Sequence, residues 1–320
     1  MRLGQNPAKF VGEVHKPERI TVSVLTYIPF LSGYFATYLD VVKACLGSIW
    51  QNTDVPFDLM VFDNGSCKEL VDFLMAAHEQ GQIQYLVLSK ENLGKGGAWN
   101  AIFSSAPGEI IAYSDSDALF YPGWLGKTMA ILESYPNAGM VTSRPFRTRE
   151  HLITATIRWA EESPWAEIER GSFIPWETFR EFDMSLGQSE TEVRERYEAT
   201  QDYRITYKDV TAHIGASHWQ FIARKDVLQQ FLPFSMDRPM GQVLKLDEQI
   251  NDAGYLRLMT GEPLSMNMSN SVLPVPAAGE RAQRNGRSRS LKRQVLDMTP
   301  VRRGLLWFYD RVFAWYFSKA

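Results

Sequence analysis

The chain of 320 residues has only two cysteines, Cys45 and Cys67, which are too few for a disulfide framework. Such scarcity is typical of proteins from a reducing compartment. The sequence also lacks any run of the ~20 apolar residues that a membrane-spanning helix needs. Its first residues lack the apolar stretch of a signal peptide. We therefore expect a cytoplasmic protein without a transmembrane helix.

Neither positive nor negative charge is in large excess, but the charges are unevenly distributed along the sequence. The formal net charge is −3, and the chain has 45% hydrophobic and 22% charged residues, a balance that excludes disorder of the whole chain. Residues 280–320 contain ten Lys or Arg and three Asp or Glu, a net charge of +7 that leaves −10 for the remainder. A basic tail on an acidic body predicts that the tail has a partner of its own.

The tail also has a high density of aromatic residues. Residues 302–317 combine three arginines with seven aromatic side chains. This pattern is typical of an amphipathic helix that lies on a membrane surface, here the inner membrane face; a helix docked on the body or on a second subunit is the alternative. Nucleic-acid binding is not expected, because no nucleic-acid-binding motif accompanies the charge. Residues 277–293, rich in Ala, Gly, Arg and Ser, predict a basic linker.

The first half of the chain alternates between strand and helix patterns. Four apolar runs fit buried strands, at residues 20–25, 59–62, 83–88 and 110–113. Helical patterns follow the first three, at about 39–50, about 70–78 and from about 98. This alternation predicts an α/β fold with parallel strands and right-handed crossovers, in which ligands bind beyond the carboxyl ends of the strands. Asp63, Asn92 and Asp115 each follow a strand, so we expect them to converge.

The second half is less regular. Ser189 and Glu192 predict a capping box that opens a helix. A further strand is expected at residues 219–223, and a helix at residues 246–253 that ends at Gly254.

The sharpest motif is Asp115-Ser116-Asp117, two carboxylates spaced by one residue at the end of a strand. Hard oxygen ligands of this kind suit Mg²⁺ or Mn²⁺, which keep open positions for phosphate oxygens. An isolated motif of this type is usually an exposed acidic turn. Here it follows a hydrophobic strand in a sheet that is suited to ligand binding, which favours a metal site.

Several motifs occur in an order and spacing that resemble the family 2 glycosyltransferases. They lie at residues 22–27, 48–52, 63–66, 92–94, 100, 115–117 and 122–125. The resemblance covers residues 20–147. It implies an α/β fold of the GT-A nucleotide-diphospho-sugar transferase type, with a mainly parallel mixed sheet flanked by helices and a helical C-terminal tail.

The resemblance also implies an activity and a division of the chain. The expected reaction moves a sugar from a nucleoside-diphosphate donor, with a UDP-sugar favoured, to a hydroxyl of a glycan or lipid-linked acceptor. It would invert the anomeric centre and depend on Mn²⁺ or Mg²⁺. Residues 1–276 would form the transferase domain, with a donor-binding half at 18–147 and an acceptor-side half at 148–276. Residues 277–320 would form the linker and the amphipathic helix.

The resemblance assigns the nucleotide end of the donor to the first two strands. Thr26 and Tyr27 would line the pocket for the base, and Asp63 would accept a hydrogen bond from it. The plain alternative for Asp63 is a turn residue.

The resemblance assigns the diphosphate end of the donor to the segment after the third strand. Asn92, Gly94 and Lys95 would lie near the ribose and diphosphate, with Asn100 holding that loop. Lys95 does not belong to a Walker loop, because no Gly-Lys-Ser or Gly-Lys-Thr follows the required spacing.

The same resemblance places the metal at the carboxylate motif. Asp115 and Ser116 would lie near the ribose, with Asp115 also near the metal, and Asp117 would ligate the metal directly. Asn267 occupies the place where many family members have a metal-binding or phosphate-binding histidine, and its carbonyl oxygen is a further candidate ligand.

The acceptor side needs a base for the acceptor hydroxyl. The resemblance places it at the start of a helix beyond the donor half, which favours Asp247, with Glu248 and Asp237 as alternatives. His213 and His218 could touch the acceptor, although a structural role is the commoner one for such histidines.

Two departures from the family pattern keep other functions open. Ile28 follows Tyr27 where members often have an Asn-Arg pair, and the histidine replaced by Asn267 is missing. A non-catalytic nucleotide- or sugar-binding protein of the same fold is therefore one alternative. A nucleotidyltransferase is a further one, although the glycine-rich basic loop that usually follows its first strand is absent.

Overall fold

The computed structural model describes residues 4–238 and 243–272, together with Arg311. The chain divides into two compact units, Met1–Pro274 and Val275–Ala320. The fold described below is that of the first unit. Apart from Arg311, the predicted linker and C-terminal helix at 277–320 lie outside the described residues.

The first unit alternates strands and helices up to residue 142, as predicted. Its strands are β1 Ile20–Thr26, β2 Asp58–Asn64, β3 Tyr85–Ser89, β4 Ile110–Asp115, β5 Ala118–Phe120, β6 Ala138–Thr142, β7 Ala166–Gly171, β8 Asp202–Tyr207, β9 Val210–Ile214, β10 Gln220–Arg224, β11 Leu256–Met259 and β12 Ser265–Asn267. Its helices are α1 Tyr38–Asn52, α2 Lys68–Glu79, α3 Gly94–Ser105, α4 Trp124–Ser134, α5 Thr154–Glu162, α6 Trp176–Ser185, α7 Glu190–Ala199, α8 Lys225–Gln229 and α9 Val243–Asp252.

Ten of the strands form one mixed sheet in the order β3-β2-β1-β4-β10-β6-β11-β9-β8-β7, and β5 pairs with β12 in a second, two-stranded sheet. The strands β3, β2, β1 and β4 are mutually parallel. Only β7, β9 and β10 run against the other seven strands of the large sheet. The predicted α/β fold with a mainly parallel mixed sheet is thus confirmed.

The central strands are buried on both faces because helices cover both sides of the sheet. Leu59 and Val61 of β2 pack with α1, α2 and α4, whereas Met60 and Phe62 pack with α3, α8 and α9. Alternate residues of a strand point to opposite faces, so a strand covered on both faces needs an uninterrupted apolar run. This need explains why these strands were visible in the sequence as apolar runs without alternation.

Two elements differ from the expectations. Helix α3 begins at Gly94, four residues before the predicted start near residue 98. The glycines of its first turn have poor helix propensity, and tertiary contacts override that propensity. The antiparallel pair of β7 and β8, which α6 and α7 separate in the sequence, was not predicted, because β7 lies at the edge of the sheet and is largely exposed.

The helix that Ser189 opens follows the prediction in detail. The Ser189 side chain accepts a hydrogen bond from the Glu192 N–H, and the Glu192 side chain accepts one from the Ser189 N–H. Within the described residues, no helix is long and apolar enough to cross a membrane.

Substitution of Ile222 should test the role of β10 as the strand that joins the two halves of the sheet. Ile222 is fully buried and lies opposite Ala112 of β4 and Val141 of β6. Ile222→Ala should lower the free energy of unfolding by about 2–5 kcal/mol through the cavity that it creates. Urea unfolding measures the change. Val87→Ala on the edge strand β3, where Val87 is 37% exposed, is the control and should cost much less.

Candidate active site

The carboxyl ends of β1, β2, β3 and β4 meet at one edge of the sheet. The antiparallel strand β10 begins at this same edge, since Gln220 lies opposite Ser114. The Asp115 N–H donates to the Trp219 carbonyl oxygen at 2.8 Å. The edge therefore brings together loops from both halves of the domain, which is the arrangement expected of a ligand site in such sheets.

Asp63 at the end of β2 is buried and accepts hydrogen bonds from two segments at this edge. The Thr26 hydroxyl donates to its Oδ1 at 2.9 Å, and the Ser66 N–H donates to its Oδ2 at 3.0 Å. Ser66 Oγ in turn accepts from the Ile28 N–H at 2.9 Å. Asp63 is 1% exposed, so its immediate task is to join the loops after β1 and β2. Tyr27, also predicted to line the base pocket, is half-buried beside them.

Asn64 is a site residue to which sequence analysis gave no role. Its Oδ1 accepts from the Leu93 N–H at 2.9 Å, and its Nδ2 donates to Asn92 Oδ1 at 2.9 Å. Asn92 Oδ1 also accepts from the Gly94 N–H at 2.8 Å. These amides hold the loop before α3 in place. The one available signal was the position of Asn64 at the carboxyl end of a buried strand.

The first turn of α3 contains three glycines, at positions 94, 96 and 97. Gly94 has a φ of 69°, which favours glycine. A Cβ at Gly97 would lie 2.7 Å from the Leu93 Cβ, so the turn needs a residue without a side chain there. A helix N-terminus presents free N–H groups and a positive dipole end. Because it lies at the ligand edge of the sheet, this turn suits the phosphates of a nucleotide.

Lys95 and Asp115 form a buried ion pair beside this turn. The Lys95 Nζ lies 2.7 Å from Asp115 Oδ2, and the Tyr113 hydroxyl donates to Asp115 Oδ1 at 2.6 Å. The Lys95 ammonium also lies 5.4 Å from the centre of the Trp99 ring. Its side chain is 9% exposed. Both oxygens of Asp115 thus have partners in the protein, and Lys95 balances its charge.

Asp117 is the less satisfied member of the carboxylate motif. Its Oδ1 is enclosed without a hydrogen-bond partner. Burial raises the pKa of the Asp117 carboxyl to about 7, the charge of Asp115 adds to the effect, and Lys95 opposes it. The nearby Tyr38 hydroxyl also acts to lower the Asp117 pKa, but less than burial raises it. An enclosed carboxylate oxygen without a partner is a group that a divalent cation can satisfy, and the metal site at this motif stays a prediction.

The two-stranded sheet of β5 and β12 brings Asn267 next to the Asp115-Ser116-Asp117 motif. Asn267 lies opposite Ala118, and the Met268 N–H donates to the Asp117 carbonyl oxygen at 2.8 Å. The Asn267 Oδ1 accepts from the Ser269 N–H at 2.7 Å and so stabilises its own turn. No group of three His, Cys, Asp or Glu side chains in the described part of the chain could hold a metal ion alone. A cation at Asp117 would therefore need further oxygen ligands, which the phosphates of a donor could supply.

The prediction that Asn100 holds the loop of Asn92 and Lys95 is wrong. Its Nδ2 donates to the Phe234 carbonyl oxygen at 2.9 Å, and its Oδ1 accepts from the Phe234 N–H at 2.7 Å. Asn100 lies on α3 beyond the first turn, where its side chain points to the segment after α8. It therefore positions that segment instead.

Asp247, the favoured base, is buried on α9. It is 3% exposed, with Oδ1 2.6 Å from the Arg257 Nη2 and Oδ2 2.7 Å from the His218 Nδ1. Each oxygen of Asp247 thus accepts one hydrogen bond from a neighbouring side chain, and almost none of the residue is exposed to solvent. The two alternatives, Glu248 and Asp237, are exposed. Asp237 bonds to the Ser235 hydroxyl.

His213, the other histidine considered for contact with the acceptor, lies in a different environment. His213 is buried, and its Nδ1 lies 3.8 Å from Asp202 Oδ1. Burial lowers the pKa of His213, although the nearby Asp202 opposes this effect. His213 is therefore a structural residue of β9.

The fold and its ligand edge define an α/β protein with a mainly parallel mixed sheet and a polar site at the carboxyl ends of its strands. Comparisons with known proteins show what this chain resembles. Residues 34–189, just under half of the chain, match the family model "Glycosyl transferase family 2". An uncharacterized glycosyltransferase from Nostoc sp. is 27% identical over 112 residues, which are 35% of this chain and 34% of the relative. The chain thus matches about a third of that relative's length.

Two solved structures also resemble the chain. The mannosyltransferase PcManGT from Pyrobaculum calidifontis, in complex with GDP-Man and Mn²⁺, is 19% identical with a TM-score of 0.48. The match covers 84% of this chain and 60% of that one. TarS 1–349 from S. aureus, in complex with UDP-GlcNAc, is 13% identical with a TM-score of 0.45, and the match covers 80% and 62%.

The raised pKa of Asp117 predicts how stability depends on pH without added metal. The folded-state pKa of about 7 exceeds the usual 3.8, so the native state holds the proton more tightly than the unfolded state does. The cost of ionising Asp117 is therefore absent below about pH 4 and grows until about pH 7. Asp117→Asn removes this cost, and its melting temperature should exceed that of the wild type by more at pH 8 than at pH 4.5. An equal difference at both pH values would contradict the assignment.

Proposed function

We propose that the protein is a glycosyltransferase that moves a sugar from a nucleoside-diphosphate donor to a hydroxyl acceptor. The observation that carries the proposal is the juxtaposition at one sheet edge of the α3 N-terminus, the Lys95–Asp115 pair and the unpartnered Asp117 oxygen. A donor of this class has a base, a diphosphate and a sugar. The edge has polar side chains at the ends of β1 and β2, the N-terminus of α3 with Lys95, and two carboxylates at and just after the end of β4. The match of residues 34–189 to the family model "Glycosyl transferase family 2" supports the same activity.

The leaving group of this reaction is a nucleoside diphosphate, whose negative charge grows as the bond to the sugar breaks. The N–H groups of the first turn of α3 beyond Gly94, whose own N–H donates to Asn92, would bind its phosphate oxygens. Lys95 would add a fixed positive charge, which lies ready in a largely buried position. A divalent cation, when bound, would supply further charge neutralisation. We propose Asp117 as its direct protein ligand, with Asp115 and Asn267 beside it.

We propose UDP as the nucleotide of the donor. Asp63 holds the end of the pocket next to Thr26, and each of its oxygens accepts one hydrogen bond from the protein. A carboxylate oxygen can accept a second hydrogen bond, for which the N3–H of a uracil is a suitable donor. Tyr27, half-buried at the same strand end, would lie against the base.

We propose that the transfer proceeds by direct displacement, which inverts the anomeric centre. The acceptor would be a glycan or a lipid-linked molecule whose hydroxyl enters from the side of α9, opposite the diphosphate. This reaction is typical of polysaccharide biosynthesis.

A thermal-shift panel of UDP, GDP, dTDP and ADP, each with Mn²⁺, Mg²⁺ or a chelator, tests the donor site. A ligand that binds the native state raises the melting temperature by mass action, and no acceptor is needed. We expect the largest shift with UDP and Mn²⁺, and a loss of most of it with chelator. Asp117→Ala should abolish the metal-dependent part, whereas Asp72→Asn, on the exposed face of α2, should leave it intact. The absence of any shift in the wild type would contradict the proposed function.

The sequence of the tail supports a location at the inner membrane face. The three arginines and seven aromatic residues between positions 302 and 317 suit a surface of anionic lipid. A chain that ends at Gln294 should lose co-sedimentation with liposomes containing anionic lipid, while the UDP shift stays unchanged. Undiminished sedimentation would show that the membrane contact lies elsewhere.

A further inference from the structure

Three residues from three segments form a chain of contacts behind the proposed acceptor side. Arg257 of β11, Asp247 of α9 and His218 of the loop before β10 lie in line, with Asp247 in the middle. Both links are short, 2.6 Å from Arg257 Nη2 to Asp247 Oδ1 and 2.7 Å from His218 Nδ1 to Asp247 Oδ2. Exposure to solvent rises from Arg257 to His218: the side chain of Arg257 is 0% exposed, that of Asp247 5% and that of His218 30%.

Arg257 fixes the inner end of this chain. Its Nη1 donates to the Leu152 carbonyl oxygen at 2.7 Å, and its Nη2 also donates to the Ala216 carbonyl oxygen at 2.6 Å. A guanidinium held by two main-chain carbonyls cannot follow a moving substrate. It holds the Asp247 carboxylate in one place through a short ion pair. Asp247 is therefore a fixed positioning group.

His218 is the outer end and the member with access to solvent. A carboxylate oxygen only accepts hydrogen bonds, so the short contact with Asp247 assigns the proton to Nδ1 in the neutral ring. The lone pair of Nε2 is then free to accept a proton. A buried aspartate and a histidine have the same roles in hydrolytic triads, where the aspartate sets the tautomer and orientation of the imidazole and the imidazole accepts the proton.

The position of His218 along the chain places it at the ligand edge. It immediately precedes Trp219, whose carbonyl oxygen accepts from the Asp115 N–H at 2.8 Å. Its other neighbour, Ser217, donates its N–H to the Thr142 hydroxyl at the end of β6 at 2.9 Å. His218 is thus anchored on both sides to the carboxyl ends of strands, next to the carboxylate motif but on the side of α9.

We propose that His218 is the catalytic base that accepts the proton of the acceptor hydroxyl, and that Asp247 and Arg257 are positioning residues that act through it. The inference rests on the proposed glycosyl transfer. As the acceptor oxygen forms its bond to the anomeric carbon, the bond from that carbon to the diphosphate oxygen breaks and the leaving diphosphate takes the electron pair. The hydroxyl proton passes to His218 Nε2. Asp247 stabilises the imidazolium that results.

The test measures the transfer of sugar to water, which needs the same proton acceptor and no identified glycan. Release of UDP from UDP-glucose or UDP-N-acetylglucosamine, and of GDP from GDP-mannose, is followed with Mn²⁺ present. We expect His218→Ala and His218→Gln to lower kcat by about 10²–10⁴-fold, the usual contribution of a general base. The nucleotide-dependent thermal shift should remain, because neither variant touches the donor site. The glutamine variant can still donate to Asp247, so it keeps the packing if the alanine variant loses it.

Added imidazole separates a base from a structural residue. It should restore part of the rate of His218→Ala, where it can occupy the vacated space, and none of the rate of Asp247→Asn, where the ring of His218 is still present. In Asp247→Asn the amide can donate to His218 Nδ1, which places the proton on Nε2 and removes the acceptor, so kcat should fall while the fold is kept. His151→Gln, which alters an exposed histidine, is the matched control and should keep the wild-type rate.

The outcomes distinguish this inference from the function on which it rests. If the wild type releases nucleotide and His218→Gln does so within about threefold of it, the base is another residue and the glycosyltransferase proposal stands. A rate of His218→Ala that imidazole does not raise would also overturn the inference. If the wild type releases nucleotide from none of these donors, the proposed function fails and the inference falls with it.

Discussion

The pairing of β4 with β1 on one side and β10 on the other is the constraint on which the site depends. The parallel pairing with β1 brings the end of β4 to the edge where β1 and β2 also end. The antiparallel pairing with β10 brings the start of a strand to that same edge, and the hydrogen bond from the Asp115 N–H to the Trp219 carbonyl oxygen closes the junction. A carboxylate motif and a histidine a hundred residues away in the sequence therefore become neighbours.

The charges at this edge show which groups are fixed by the protein and which await a ligand. Asp115 is paired with Lys95, and Asp247 with Arg257, so each of these carboxylates is held in place by a neighbouring positive charge. Asp117 has an enclosed oxygen without a partner, and its pKa is raised because burial and Asp115 both disfavour its charge. A cation would satisfy that oxygen and relieve the repulsion. Strain of this kind is expected at a functional site.

Many of the local features were predictable from the sequence. Apolar runs identified β1, β2 and β4 because strands buried on both faces need apolar residues at every position. The capping box at Ser189 was predictable because its hydrogen bonds join residues only three apart. The order of short motifs was enough to indicate a resemblance to the family 2 glycosyltransferases, and residues 34–189 match the model of that family.

The sequence by itself thus determined the α/β class, the strand ends that carry polar residues, and the carboxylate motif, because all of these depend on short-range pattern. Tertiary structure alone decided which side chains are free to act. Only contacts between distant segments show that Asn100 binds the Phe234 segment, that Lys95 occupies Asp115, and that Arg257 and His218 enclose Asp247. Such contacts depend on how strands at distant positions in the chain are paired, and an acid at the start of a helix has the same local pattern whether it is open or enclosed.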